Sequence, residues 1–142
     1  MKRSLLLFAC AVLCMSCCVL RNMRSGYANT VWSGVYKIFL ADAGTETVTV
    51  TLCFGATKYT MEEKSVMPSY PAPVVNPDGT IDTIPGFTRE NTRKGTYQVK
   101  GDEILLKQDD GTFHTLHLID GRLESRDFGL QNRVFEKVSS GK

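Results

Sequence analysis

The chain has 142 residues, 17 Lys and Arg against 15 Asp and Glu, and 42% hydrophobic residues. That is enough for one folded domain and too little for two. A formal net charge of +2 gives no global field that would draw in nucleic acid or acidic substrates.

Lys2 and Arg3 precede an apolar run over residues 5–13, which the cluster Cys14-Met15-Ser16-Cys17-Cys18 closes. This order of charge, apolar run and small residues is that of an export signal, and the run is too short to span a bilayer comfortably. A cysteine directly after a small residue resembles the bacterial lipobox. It implies cleavage between Ser16 and Cys17 and lipidation of Cys17, with Cys18 as the alternative acceptor. A single acyl chain holds a protein to a membrane only marginally, whereas a diacylated cysteine with a further chain anchors it stably. Residues 1–16 carry Lys2, Arg3 and no acid, so the mature chain balances 15 basic against 15 acidic groups.

Four of the five cysteines lie in this signal or at its junction, leaving Cys53 alone in the body. No disulfide framework is expected. Residues 17–30 lack a hydrophobic period and read as a lipidated tether; residues 31–138 read as the folded domain, and residues 139–142 as a polar tail.

The folded part opens with two alternating segments. Trp32, Gly34, Tyr36, Ile38 and Leu40 share one parity, then Val48, Val50, Leu52 and Phe54 alternate with Thr47, Thr49, Thr51 and Cys53. This is the period-2 pattern of strands with one buried face, and it predicts a hairpin turning near residues 42–44. Tyr59 and Met61 continue the pattern in a third strand over residues 57–64. All five prolines then fall between residues 65 and 92. Proline donates no ladder hydrogen bond, so this stretch is excluded from a central strand. It is expected to be a long packed but irregular crossing, with a flap over an opening or disorder as alternatives and a short strand near residues 80–84.

Alternation resumes at Lys94 with Tyr97 and Val99, then Ile104 and Leu106. Asp109-Asp110-Gly111 and Asp120-Gly121 supply turns around a strand over residues 112–119. Leu123 marks another strand, and residues 133–138 close the series. The fold class is therefore all-β: a small up-and-down antiparallel barrel or meander of about eight strands, lipocalin-like, following the signal peptide. Such a barrel is just wide enough to be filled by side chains or to hold one small ligand. The inward aromatics Trp32, Tyr36, Phe54, Tyr59 and Tyr97 favour filling.

Three stretches carry a family resemblance. Tyr36-Lys37 runs through Leu40-Ala41-Asp42-Ala43-Gly44 and Glu46 into the Val48, Val50, Leu52 strand. Residues 95–106 are followed by Asp110-Gly111, and residues 133–138 end the domain. Together they resemble the NlpE-like copper-resistance lipoproteins. The resemblance implies a lipid-anchored small β-barrel in the cell envelope, in the outer membrane of a bacterium, engaged in envelope interaction or stress sensing and not in catalysis. Its first turn should carry a Cys-x-x-Cys pair, but here Leu40 and Ala43 flank Ala41-Asp42. The thiolates for a soft metal are missing, so copper binding is not carried over and no cofactor is expected.

No other pattern replaces that site. His114 and His117 fall on opposite faces of a strand, Met61 has core parity, and no GxSxG, HExxH or P-loop occurs. The proline-rich stretch and its basic end remain, with Tyr70, Phe87, Arg89 and Arg93 as candidate partner residues and Lys94 beside them. The partners expected are the membrane, through the N-terminal lipid, and an envelope protein or small ligand. A monomer is expected, and a lipocalin-like carrier of a small hydrophobic ligand is the alternative.

Overall fold

A computed structural model describes residues 26–41, 43–127 and 132–138; Ser16, Cys17 and the tail lie outside them. Among the described residues there is no helix, and the strands are β1 (Thr30–Leu40), β2 (Gly44–Phe54), β3 (Lys58–Met67), β4 (Tyr70–Val75), β5 (Ile81–Ile84), β6 (Phe87–Lys100), β7 (Glu103–Gln108), β8 (Phe113–Ile119), β9 (Arg122–Ser125) and β10 (Arg133–Lys137). Eight of them close a barrel in the order β1-β10-β9-β8-β7-β6-β3-β2, every pairing antiparallel, while β4 and β5 form a separate two-stranded ribbon. The expected eight-stranded up-and-down barrel is the observed fold.

Parity places the core as the sequence indicates. Val48, Val50, Leu52 and Phe54 of β2 face inward against Tyr59 and Met61 of β3, Tyr97 and Val99 of β6, Ile104 and Leu106 of β7, Leu116, Leu123 and Phe135. At the closed end the aromatics pack on one another. Phe54 meets Tyr97 edge-on at 4.9 Å between centroids, and Tyr27 lies 6.1 Å from Trp32 and 6.2 Å from Phe54. Tyr97 Oη donates to the Gly55 carbonyl at 2.7 Å, and Trp32 Nε1 donates to Thr30 Oγ1 at 2.9 Å, so both polar tips are satisfied inside an apolar plug. Tyr27 and Thr30, which the sequence assigns to the tether, thus belong to the fold. A lone aromatic in a polar stretch carries no period from which this is readable.

Asp120 and Gly121 both take positive φ, 49° and 78°. These are the mirror-image turn angles that match strand twist, and they explain the tight β8–β9 connection.

The proline-rich stretch departs from expectation. β3 continues to Met67 and β6 begins at Phe87, not Lys94, and the two pair without interruption from Lys58↔Thr96 to Met67↔Phe87. Beyond Pro68-Ser69 and Pro85-Gly86 the same hairpin resumes as the β4–β5 ribbon, with Tyr70 paired to Ile84 and a register shift between Pro71 and Val75. The crossing is a projecting hairpin, regular as far as Met67↔Phe87 and shifted in register beyond it, and the short strand expected near residues 80–84 is present as β5. A two-stranded ribbon has an outer edge on each strand, so its prolines need not donate to a neighbour. Gly86 sits directly on the Met67 carbonyl and Pro68, where any Cβ would collide, and this fixes the break between the two parts of the hairpin.

Candidate functional site

The barrel strands are unequal in length, and that inequality builds the open end. β10 pairs with β1 only at Trp32↔Lys137 and Ser33↔Glu136, and β7 pairs with β6 only from Gly95 to Lys100. β1, β2, β3 and the first half of β6 therefore extend beyond the closed barrel as a four-stranded wall. The ribbon continues from the tip of this wall. β4 and β5 pair with each other and touch the barrel strands little, so the ribbon does not fold over the mouth.

Inward parity continues up the wall. Register places Tyr36, Ile38 and Leu40 of β1, Glu46 and Val48 of β2, Glu63, Ser65 and Met67 of β3, and Phe87, Arg89, Asn91 and Arg93 of β6 on its inner face. Of the candidate partner residues, Phe87, Arg89 and Arg93 share this face, and the Arg89 guanidinium lies over the Phe87 ring at 4.8 Å. Tyr70 belongs to the ribbon's own sheet, at its base. Lys94 takes the opposite parity, so the run that looks like one basic cluster in sequence is split between two faces.

A rung spans the floor of the mouth. Arg133 of β10 reaches Glu63 of β3 at 3.6 Å and covers the Tyr36 ring at 4.3 Å; the Arg133 and Glu63 side chains are 16% and 26% exposed. Burial raises the Tyr36 phenol above its ordinary range, with Arg133 pulling the other way. Beside the rung, Gln108 Nε2 and His114 Nε2 are 2.7 Å apart, and burial lowers the His114 pKa so that the neutral ring is favoured. Thr115 N donates to Asp127 Oδ2 at 2.8 Å and Asp127 N to Ser125 Oγ at 3.2 Å, tying down the start of the β9–β10 connection.

His117, on the outer face, lies 3.7 Å from Glu103. The two histidines thus point apart, as their spacing indicates, and among the described residues no group of three His, Cys, Asp or Glu side chains is placed to hold a metal ion. An open notch of about 600 Å³ follows the end of β7, lined by Thr92, Arg93, Lys94, Gln108, Asp109 and Asp110. Sequence reasoning missed Tyr36, Glu63, His114 and Arg133 as a group. Their parity was available, but nothing local shows that β10 is short enough to bring Arg133 across to β3.

Comparisons with protein-family models, curated proteins and solved structures return no match to this chain.

Proposed function

We propose that the protein is a non-catalytic, lipid-anchored component of the bacterial cell envelope, similar in plan to NlpE-like lipoproteins, that engages an envelope partner through its projecting wall and ribbon. The signal-like residues 1–16 and the Ser16-Cys17 junction support the anchor. The observation that carries the interaction role is the contrast in packing. The barrel interior is occupied by side chains, while Val35, Phe39, Val66, Val74, Val75 and Ile81 are exposed on the wall and ribbon, against the fewer exposed Phe113, Ile119, Val134 and Val138 elsewhere on the barrel. Surface of this kind on a soluble domain marks contact sites.

The carrier reading finds less support. Leu52, Met61, Leu106 and Leu116 occupy the space a deep calyx needs, so a small hydrophobic ligand is restricted to the shallow mouth beside Met67 and Phe87.

Metabolic labelling with a radioactive fatty acid, compared between wild type and Cys17→Ala, tests the anchor. Label confined to wild type is expected, and equal label in both rules out Cys17 as the acylated residue. Replacing residues 68–86 by an Asn-Gly turn tests the ribbon: the barrel should fold, and crosslinks from a photoreactive side chain at Phe87 to an envelope protein should be lost.

A further inference from the structure

The projecting wall has two lateral edges, and they differ in chemistry. On β6 the backbone groups facing outward belong to Thr88, Glu90 and Thr92, in a stretch that also carries Arg89, Arg93 and Lys94. Charges along an edge are a standard defence against strand addition. On β1, Val138 N donates to the Val31 carbonyl at 2.8 Å, so the odd-numbered residues point their backbone groups toward β10. Beyond Ser33 the ladder to β10 ends, although β10 still passes over Gly34 and beside Val35. This leaves Val35, at the margin, and Lys37 and Phe39 with outward backbone groups that no described strand pairs. This edge is apolar on both faces: Val35 is 64% and Phe39 80% exposed outside, and Ile38 and Leu40 are partly open inside. Lys37 is its one charge.

We propose that this edge pairs antiparallel with the same edge of a second copy of the chain, joining two walls into one continuous sheet about a two-fold axis. The occupant follows from self-complementarity. The open stretch runs from Val35, just past the point where the Val134 carbonyl closes on Gly34, to the turn at Ala41. Pairing the whole stretch with itself centres the axis on Ile38. Lys37 then faces Phe39 of the second copy on the outer surface, Val35 faces Ala41, and on the inner surface Ile38 meets Ile38 and Tyr36 meets Leu40. Each cross-strand pair is apolar or a cation beside an aromatic ring, and both kinds are favourable. Of the two neighbouring registers allowed by the outward backbone groups, one sets Lys37 against Lys37 and pushes Leu40 against the covered Gly34, which charge and space exclude. The other, centred on Phe39, carries Tyr36 beyond the end of β1 and pairs a shorter stretch. An isologous contact of this kind closes on itself and stops at two copies. The proposal replaces the monomer expected from the sequence, and it does not depend on the lipid anchor.

The test uses the full-length chain in detergent with Cys10, Cys14, Cys17, Cys18 and Cys53 all changed to Ser, so that it is independent of the anchor, carrying either Ile38→Cys or Thr92→Cys, and diamide as the thiol oxidant. Residues opposite one another in the narrow, non-hydrogen-bonded positions have Cα atoms about 4.5 Å apart, within reach of a disulfide. A covalent dimer is expected from Ile38→Cys, reduced several-fold by adding Phe39→Lys, with none above the background chain from Thr92→Cys. Three results overturn the proposal. Ile38→Cys staying monomeric means that the edge is covered within the chain, residues 128–131 being the segment available, or is not used. Equal dimer at both positions means random collision. A crosslinked product of any mass other than twice the chain means a different partner.

Discussion

The two halves of the barrel are built from the same strands and obey opposite rules. Toward the closed end, β2 and β3 are flanked by the whole circuit of neighbours and bury Leu52, Phe54, Tyr59 and Met61. Toward the open end the same two strands lose their distant neighbours, because β7 to β10 are shorter, and the wall keeps its ladder but not its cover. Backbone pairing and core burial are thus separable here. The first runs the full length of β1, β2 and β3, and the second thins past the Glu63–Arg133 rung, where Val48, Ser65 and Met67 stay buried but Ile38, Leu40 and Phe87 are exposed. Stability should reside mainly below that rung and interaction above it.

Substitutions can break or sharpen that division. Leu116 is fully buried at the centre of the closed half, and Leu116→Ala should destabilise by about 2–5 kcal/mol in chemical unfolding, through lost transfer energy and a residual cavity. A value within the range of surface changes would contradict a packed interior. Gly95 comes next. A methyl there lands on the Lys107 carbonyl of the paired strand, so Gly95→Ala should cost about 1–3 kcal/mol as the β6–β7 ladder shifts.

Tyr59 yields a smaller effect with a pH signature. Its hydroxyl is buried without a hydrogen-bond partner, and burial first, then Asp110 and Asp109, push its pKa up to about 12. Folding favours the neutral phenol. Its contribution to stability is therefore complete below the unfolded value near 10 and is lost as pH rises from about 10 to about 12. Tyr59→Phe should leave stability at pH 7 equal or slightly higher, since no bond is lost. It should also shrink the alkaline decline in a denaturation series; Tyr27, Tyr36 and Tyr97, also raised by burial, keep part of it. A Tyr59→Phe variant that loses stability at pH 7 would show that the hydroxyl is bonded after all.

The smallest effect on stability belongs to the wall. Phe39→Ser, at 80% exposure, should change unfolding free energy by less than about 0.5 kcal/mol. It should also lower the dimeric fraction measured by sedimentation. A large loss of stability in the monomer would mean that the wall is part of the core.

The closed half was legible because burial writes itself into alternation. Trp32, Val48, Leu52, Phe54, Tyr97 and Ile104 all fall on the inward parity that the sequence shows. The open half was legible only in part, for the same reason. Residues 88–94 are wetted on both faces, so they carry no hydrophobic period, and the first half of β6 reads as loop although its ladder to β3 is regular. Pro71 and Pro73 look like strand breakers, yet a solitary two-stranded ribbon asks nothing of their missing donors. The histidine spacing settled that His114 and His117 diverge. It did not show that Gln108 would meet His114, which depends on how β7 and β8 are registered. The candidate partner residues were half assembled: Phe87, Arg89 and Arg93 share a face by simple parity, whereas Tyr70 lies beyond a break that no pattern announces.

The free edge of β1 is the point on which the account turns, and backbone amide exchange across that strand in the full-length chain, measured at several protein concentrations, tests it most directly. Tyr36 and Ile38 point their amides at β2 and should be protected at every concentration. Lys37 and Phe39 should exchange quickly in dilute protein and become protected as concentration rises and the second copy pairs. Lys37 and Phe39 amides that are protected at all concentrations, or open at all of them, would contradict the account.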